Sequence, residues 1–126
     1  DEIYAHPFIN VLAHIDYIAR NPPFENPEIS YGAFADDIDA ILRALIETDT
    51  VIEINTRRLG SPRGLKELAP VCRRYHELGG RAVTIGSDAH VPHAVGQYYD
   101  RARALAHAFD LQVVTFHERK MRLCEA

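Results

Sequence analysis

The residues best suited to chemistry are an aspartate and a histidine two positions apart in Gly86-Ser87-Asp88-Ala89-His90. A carboxylate oxygen and an imidazole nitrogen are both good ligands for a divalent metal ion. Such a pair alone more often caps or hydrogen-bonds a loop. A second candidate, His14-Ile15-Asp16, ends a short apolar run, where a histidine is likewise more often hydrogen-bonded than metal-bound. If both groups lie at one edge of a sheet, their convergence favours a metal site.

The elements that must position these groups are short apolar strands separated by helices. The sequence predicts strands at Asn10–His14, Val51–Asn55, Ala82–Gly86 and Gln112–Phe116, the last being the final strand. Polar side chains follow these strands at or just after the ends, and they include His14, Asn55-Thr56, Ser87-Asp88 with His90, and His117. In parallel α/β architectures chemistry is placed at that edge. We therefore expect the site there.

Three helices are predicted between the strands. Asp36 and Asp37 suit a first helical turn, and an apolar stripe at helical spacing follows them, made up of Ile38, Ile41, Leu42, Leu45 and Ile46. A second helix is expected to begin near Pro70 and to stop at Gly79-Gly80. A third is expected over Tyr98–Phe109. Loops are expected over residues 21–27 and 57–64, which are rich in Pro or Gly.

The resulting order, β-α-β-α-β-α-β, predicts a parallel sheet, either doubly wound or part of a (β/α) barrel. A closed barrel takes about 250 residues, roughly twice the 126 residues present. Met121 is the only methionine and Asp1 is the first residue. We therefore expect residues 1–126 to be a single partial domain, the C-terminal part of a larger barrel whose remainder precedes Asp1.

Composition excludes some function classes. The formal net charge of −4 argues against a general nucleic-acid binder, which needs a basic surface. No apolar run approaches the ~20 residues of a membrane helix. Cys72 and Cys124 have no metal-site or disulfide-framework spacing, so a reduced, cytoplasmic protein is expected, with no membrane partner.

Three strings occur in an order that resembles the histidinol-phosphatase branch of the polymerase-and-histidinol-phosphatase (PHP) family, in its C-terminal half. They are Val11-Leu12-Ala13-His14-Ile15-Asp16-Tyr17-Ile18, Glu53-Ile54-Asn55-Thr56 and Thr84-Ile85-Gly86-Ser87-Asp88-Ala89-His90, followed by Val95-Gly96. The resemblance covers about Pro7 to Lys120. It implies a distorted (β/α)7 TIM-like barrel, a trinuclear cluster of zinc, iron or manganese, and hydrolysis of L-histidinol phosphate in histidine biosynthesis.

The resemblance also implies residue roles. His14, Asp88 and His90 match metal ligands of the family, and Asp88 is the best candidate for proton transfer. The family's opening His-x-His strand motif and its further His and Glu ligands have no counterpart among the chain's other histidines. We therefore expect the isolated chain to lack a complete active site.

A phosphate monoester substrate needs cationic partners, for which arginine is well suited. Arg57 and Arg20 are the candidates, whereas Arg58 is expected to be solvated. Asp16 is expected either to orient an imidazole or to cap the next segment.

Two alternatives stay open. The substrate could be another sugar or nucleotide phosphate, or the chain could be a non-catalytic half-barrel that self-associates through its open strand edges. A dinucleotide-binding module has no support, because no Gly-x-Gly-x-x-Gly follows the first strand.

Overall fold

A computed structural model describes residues 2–17 and 30–124. The loop expected at residues 21–27 and the candidate Arg20 lie outside them. The described residues form one mixed sheet whose strands, in spatial order, are β1 (Val11–Leu12), β2 (Val51–Asn55), β3 (Ala82–Gly86), β4 (Gln112–His117) and β5 (Lys120–Leu123). Strands β1 to β4 are parallel neighbours, and β5 is antiparallel to β4.

The strand order decides between the two architectures that the sequence left open. A doubly wound sheet reverses its strand order at a switch point, whereas β1 to β4 follow one another in chain order. With right-handed crossovers, sequential order places the connecting helices on one face of the sheet. This is the winding of a barrel wall, as expected for a TIM-like fold.

Strand β5 corrects the prediction that the strand at 112–116 is the last. It pairs with β4 in a hairpin whose turn contains Glu118 and Arg119, with φ of 50° and 65°. Two-residue hairpin turns of this kind normally carry Asn, Asp or Gly. The turn therefore had no recognisable sequence signal.

In the part of the chain that the structure describes, four α-helices accompany the sheet: α1 (Glu2–Ala5), α2 (Ala35–Glu47), α3 (Pro62–Glu77) and α4 (Tyr99–Ala108). Helix α2 confirms its prediction, with both aspartates in the first turn and with Ile38, Leu42 and Leu45 buried. Helix α4 confirms the third predicted helix to within one residue at each end.

Helix α3 begins eight residues before the predicted start at Pro70, which instead lies inside the helix. The true start has its own signal: Ser61 accepts a hydrogen bond from the Gly64 N–H at 3.3 Å, and Pro62 occupies the first turn. The expected loop at 57–64 is therefore wrong, because a 3₁₀ helix at Thr56–Gly60 leads directly into α3. The predicted stop holds, since Gly79 takes a φ of 110°.

The core lies between the sheet and α2, α3 and α4. Its almost fully buried apolar side chains include Leu42, Leu45, Ile52, Ile54, Val83 and Ala102. Cys72 belongs to this core, where burial raises the pKa of its thiol to about 12 and leaves it unreactive. Within residues 2–17 and 30–124, no helix has both the length and the apolar character that crossing a bilayer requires.

Candidate functional site

A cavity of about 530 Å³ lies at the carboxyl ends of β1, β2 and β3. Its wall contains His14 after β1, Asn55 at the end of β2, and Asp88 after β3. Arg57 and Arg58, from the 3₁₀ helix after β2, also line it. Its volume is within the range of ordinary small-molecule sites. The edge expected from the sequence therefore carries the cavity.

A larger depression of about 740 Å³ lies between α3 and α4. Its wall is mostly apolar, and Arg101 is its one charged side chain among the described residues. Among its described lining residues there is no carboxylate, imidazole or thiol, and the Ser61 hydroxyl has no such group beside it in the wall. The polar cavity is therefore the candidate site.

His14 is held by an amide at the end of the next strand. The Asn55 Nδ2 atom lies 3.2 Å from His14 Nδ1, while Asn55 Oδ1 accepts a hydrogen bond from the Arg57 N–H at 3.1 Å. Because Oδ1 is already used as an acceptor, Nδ2 faces the imidazole as a donor, and His14 Nδ1 accepts. The neutral imidazole then carries its proton on Nε2.

Glu53 of β2 contacts the backbone of His14. Its Oε2 atom accepts from the His14 N–H at 3.4 Å. The carboxylate reaches that position across Gly86, where an added Cβ would lie 2.0 Å from Glu53 Oε1. The absence of a side chain at Gly86 thus makes room for Glu53, for which the sequence had indicated no partner.

Asp88 is mostly buried and lies beside an arginine. Its side chain is 15% exposed, and its Oδ2 lies 3.7 Å from Arg57 NH1. Its backbone is left-handed, with a φ of 48°, as is that of His14 at 56°. A non-glycine residue takes this conformation at a cost, and such residues are enriched at functional sites.

His90 is the predicted ligand that the structure does not bring to the cavity wall. Its side chain is 65% exposed, and its Nδ1 lies 2.8 Å from the Asp88 carbonyl oxygen. The carbonyl can only accept, whereas the Arg57 guanidinium beside the same nitrogen can only donate, so the two contacts need opposite states of Nδ1. The shorter contact, to the carbonyl, favours a proton on Nδ1 and a lone pair on Nε2. Arg57 NH1 lies 3.2 Å from the same Nδ1, so His90 sits against the rim of the site.

The described residues do not make up a complete metal site. No group of three or more His, Cys, Asp or Glu among residues 2–17 and 30–124 is arranged to hold a metal ion. His14 and Asp88 share the cavity, but the lone pair on His14 Nδ1 faces Asn55. The donor set therefore does not fit a metal ion by itself.

Arg58 corrects the expectation of a solvated side chain. Its Nε donates to Asp16 Oδ2 at 2.7 Å, and its NH2 donates to Glu67 of α3. Burial alone would lower the pKa of Arg58, but the hydrogen bonds and charges of the two carboxylates raise it above its ordinary value. Asp16 thus lies against a guanidinium, and the contact ties the loop after β1 to α3.

Sequence reasoning missed Gln97 and Tyr98, which line the cavity from the segment before α4. The Gln97 amide donates to the Ser87 carbonyl at 3.2 Å and so braces the segment that carries Asp88. Neither residue belongs to a recognisable motif, and the sequence places Tyr98 in the predicted helix itself. Only the fold reveals that they face the site.

Comparisons with known proteins find relatives that match most of this chain. No protein-family model matches the chain. A probable histidinol-phosphatase of Clostridium acetobutylicum is 43% identical over 117 residues, which are 93% of this chain and 46% of that protein. The histidinol-phosphatase of Lactococcus lactis is 29% identical over 109 residues, 86% of this chain and 39% of that protein.

A solved structure matches as well. The crystal structure of histidinol phosphate phosphatase from Lactococcus lactis, complexed with zinc, L-histidinol and phosphate, superposes with a TM-score of 0.85 at 27% identity. The match covers 95% of this chain and 46% of that one, so the chain spans under half the length of these relatives. The chain is therefore a homologue, over most of its length, of part of the histidinol-phosphatases, the branch of the PHP family that its own motifs resemble.

Proposed function

We propose that the intact protein containing this chain hydrolyses a phosphate monoester, with L-histidinol phosphate as substrate and L-histidinol and phosphate as products. The observation that carries the proposal is the structural match, over 95% of the chain, to an enzyme complexed with L-histidinol and phosphate. The polar cavity supports it, because a cation, a carboxylate and an imidazole share one wall.

Arg57 is the proposed phosphate-binding residue of this chain. Its side chain is 43% exposed and its guanidinium faces the cavity beside Asp88. A planar guanidinium can bind two phosphoryl oxygens at once and stabilise the charge that develops on them. Arg58 is less suited to this role, since its donors are directed at Asp16 and Glu67. Arg20, the other candidate, lies outside the described residues.

Asp88 is the proposed proton-transfer residue. Its carboxylate is largely shielded from water, and it lies on the same wall as Arg57 and His14. A carboxylate so placed can accept a proton from an attacking water and return it to the leaving alcohol oxygen. The neighbouring guanidinium would hold the phosphoryl group in position during that transfer.

Divalent metal use is proposed on the strength of the zinc in the Lactococcus lactis structure. His14, Asp88 and His90 are the proposed ligands from this chain. Because the described residues hold no complete ligand group, further ligands would come from elsewhere in the intact protein. Iron or manganese, a trinuclear cluster and the seven-stranded closed barrel belong to the same proposal, with residues 1–126 as one part of that domain.

The proposed setting is cytoplasmic. Among the described residues both cysteines are free thiols, Cys72 buried and Cys124 exposed, which suits a reducing compartment.

A non-catalytic half-barrel is the second candidate, and one observation favours it. Strand β1 pairs only with β2, and β5 pairs only with β4, so both outer strands of the described sheet have an open edge. Open edges favour pairing with another chain or a second copy. A chain that sediments as a defined dimer, binds no metal and releases no phosphate would support this reading.

The deciding experiment measures phosphate release by the intact protein with zinc supplied. L-Histidinol phosphate is compared with a sugar phosphate and a nucleoside monophosphate. We expect preference for L-histidinol phosphate, loss of turnover in Asp88→Asn, and a KM raised about tenfold or more in Arg57→Met, since a charged hydrogen bond is worth about 1.5–3 kcal/mol. The control is Arg43→Met, because Arg43 is exposed on α2.

Three results would count against the proposal. Equal rates on all three esters would remove the histidinol assignment. Unchanged turnover in Asp88→Asn would remove its proton-transfer role. Elemental analysis gives a separate test of the metal proposal, since zinc retained fully in Asp88→Ala would exclude Asp88 as a ligand.

A further inference from the structure

Tyr98 is an aromatic side chain on the wall of the polar cavity, immediately before α4. Its φ of 54° places it in the left-handed region, which bulky residues rarely adopt. Such a conformation persists only where surrounding contacts impose it, and it is found preferentially at binding sites. The contacts of the Tyr98 ring therefore indicate why this backbone conformation is kept.

Two neighbours fix the ring. A Cβ at Gly60 would lie 2.9 Å from Tyr98 Cε2, so the ring packs directly on the Gly60 backbone. The Arg101 guanidinium carbon lies 4.9 Å from the ring centroid, and Arg101 NH1 is itself anchored to the Leu59 carbonyl at 2.7 Å. The ring is thus held by the 3₁₀ helix after β2 and by α4, with 42% of the residue still exposed.

The cavity wall combines charge with aromatic surface. Arg57 and Asp88 supply the charged part, and Tyr98 and Tyr17 supply aromatic rings, Tyr17 being 61% exposed. The Tyr17 ring is edge-on to His14 at 5.5 Å between centroids. A ligand with a phosphate at one end and a flat, partly apolar group at the other matches these surfaces, whereas a small aliphatic phosphate would leave the rings uncovered.

We propose that Tyr98 is a specificity-determining residue, whose fixed ring packs against the alcohol portion of the phosphate ester and favours alcohols that carry a planar heteroaromatic group. The inference rests on the proposed phosphatase function and adds the part of the substrate that Tyr98 recognises. Its role is in binding the alcohol portion, so it affects KM and leaves the chemical step to other residues.

The test compares two substituted proteins, each as the intact enzyme with zinc supplied. Tyr98→Asn removes the ring and keeps a residue that tolerates a left-handed backbone, while Tyr98→Phe keeps the ring. The matched control is Tyr99→Asn, because Tyr99 is the adjacent tyrosine, is 38% exposed, and lines a different depression. The substrates are L-histidinol phosphate and the aliphatic ester glycerol 1-phosphate.

We expect Tyr98→Asn to raise KM for L-histidinol phosphate about 5- to 10-fold, the size of one lost aromatic contact, with kcat within about twofold. KM for glycerol 1-phosphate should stay unchanged, and Tyr98→Phe should behave like the parent protein. An equal change for both esters, a change only in kcat, or the same effect in Tyr99→Asn would overturn the proposal.

Binding of L-histidinol by calorimetry separates this inference from the proposed function. If the parent protein hydrolyses no ester, yet binds L-histidinol and loses 5- to 10-fold of that affinity in Tyr98→Asn, the proposed function fails and the recognition role stands. If the parent hydrolyses L-histidinol phosphate and Tyr98→Asn binds L-histidinol as tightly as the parent, the recognition role fails and the function stands. If the parent neither hydrolyses any ester nor binds L-histidinol, both fail.

Discussion

Replacing Arg58 by methionine should destabilise the protein more than any surface charge substitution. The guanidinium joins Asp16, in the loop after β1, to Glu67 of α3. Asp16 is 7% exposed and Glu67 is 6% exposed, so both carboxylates depend on protein partners. Methionine keeps the apolar stem of the side chain and removes all of its donors.

The magnitude follows from which partners remain. Breaking a buried ion pair costs about 3–5 kcal/mol, because a charge is left without compensation. The Arg58 side chain is 19% exposed, and Glu67 keeps a second partner in Arg63, whose Nε lies 2.9 Å from Oε1. Among the described residues, Asp16 is then left with no cationic partner. We expect a loss of about 2–3 kcal/mol in the free energy of unfolding.

Urea unfolding of the intact protein, followed by circular dichroism, measures this loss. Arg43→Met is the control, because Arg43 also pairs with a buried aspartate, at 3.2 Å, but its own side chain is 53% exposed. An exposed pair of this kind contributes below about 1 kcal/mol.

A double substitution tests the cause. If the cost arises from the uncompensated charge, adding Asp16→Asn to Arg58→Met should recover about 1 kcal/mol or more, since the carboxylate is neutralised. The reasoning is refuted if Arg58→Met costs no more than Arg43→Met, or if Asp16→Asn makes the Arg58→Met protein still less stable.

Two further predictions concern Asp39 and Gly86. The hydrogen bonds from Arg74 lower the pKa of Asp39 from 3.8 to about 2, and this effect outweighs that of burial, which raises the pKa. Because the pKa is depressed in the folded state, the ionised carboxylate of Asp39 stabilises the fold above pH 4, and this contribution is lost as pH falls through about 2. Unfolding measured between pH 4 and 2 should therefore depend less on pH in Asp39→Asn. Gly86→Ala should lower kcat/KM at least about tenfold, because the added Cβ would displace the Glu53 carboxylate. Gly32→Ala is the control: a Cβ added at Gly32 has no atom within 4 Å, so kcat/KM should stay unchanged.

The sequence was sufficient to predict the helices and strands that have strong local patterns. Helix α2 was predicted because its apolar stripe and its first-turn aspartates agree, and β2 and β3 were predicted from β-branched runs. The start of α3 was missed for a physical reason. Pro70 resembles a first-turn proline, but the Ser61 cap and Pro62 supply the actual start, and two proline signals eight residues apart compete in the sequence.

The site was predictable only at the level of which edge carries it. Parallel strands end at the same edge of a sheet, so the sequence predicts that His14 and Asp88 lie near each other. Both residues line the cavity. The sequence does not show that Arg58 is paired with carboxylates while Arg57 faces the cavity. Adjacent residues of a 3₁₀ helix point in different directions, and the sequence does not give the orientation of the helix. The same holds for the exposed imidazole of His90.

The two predicted imidazole ligands are in opposite hydrogen-bonding states, and this bears on how the site would be completed. The shorter contact of His90 Nδ1, at 2.8 Å to the Asp88 carbonyl, favours a proton on Nδ1 and a lone pair on Nε2. His14 accepts at Nδ1 from Asn55, whose orientation is fixed by the Arg57 N–H, and therefore holds a proton on Nε2. Only the first of these arrangements is the one usual for a metal-bound histidine, in which the second ring nitrogen donates to a carbonyl or carboxylate. For His14 to bind a metal ion through Nδ1, the Asn55 amide would have to give up its contact with that nitrogen.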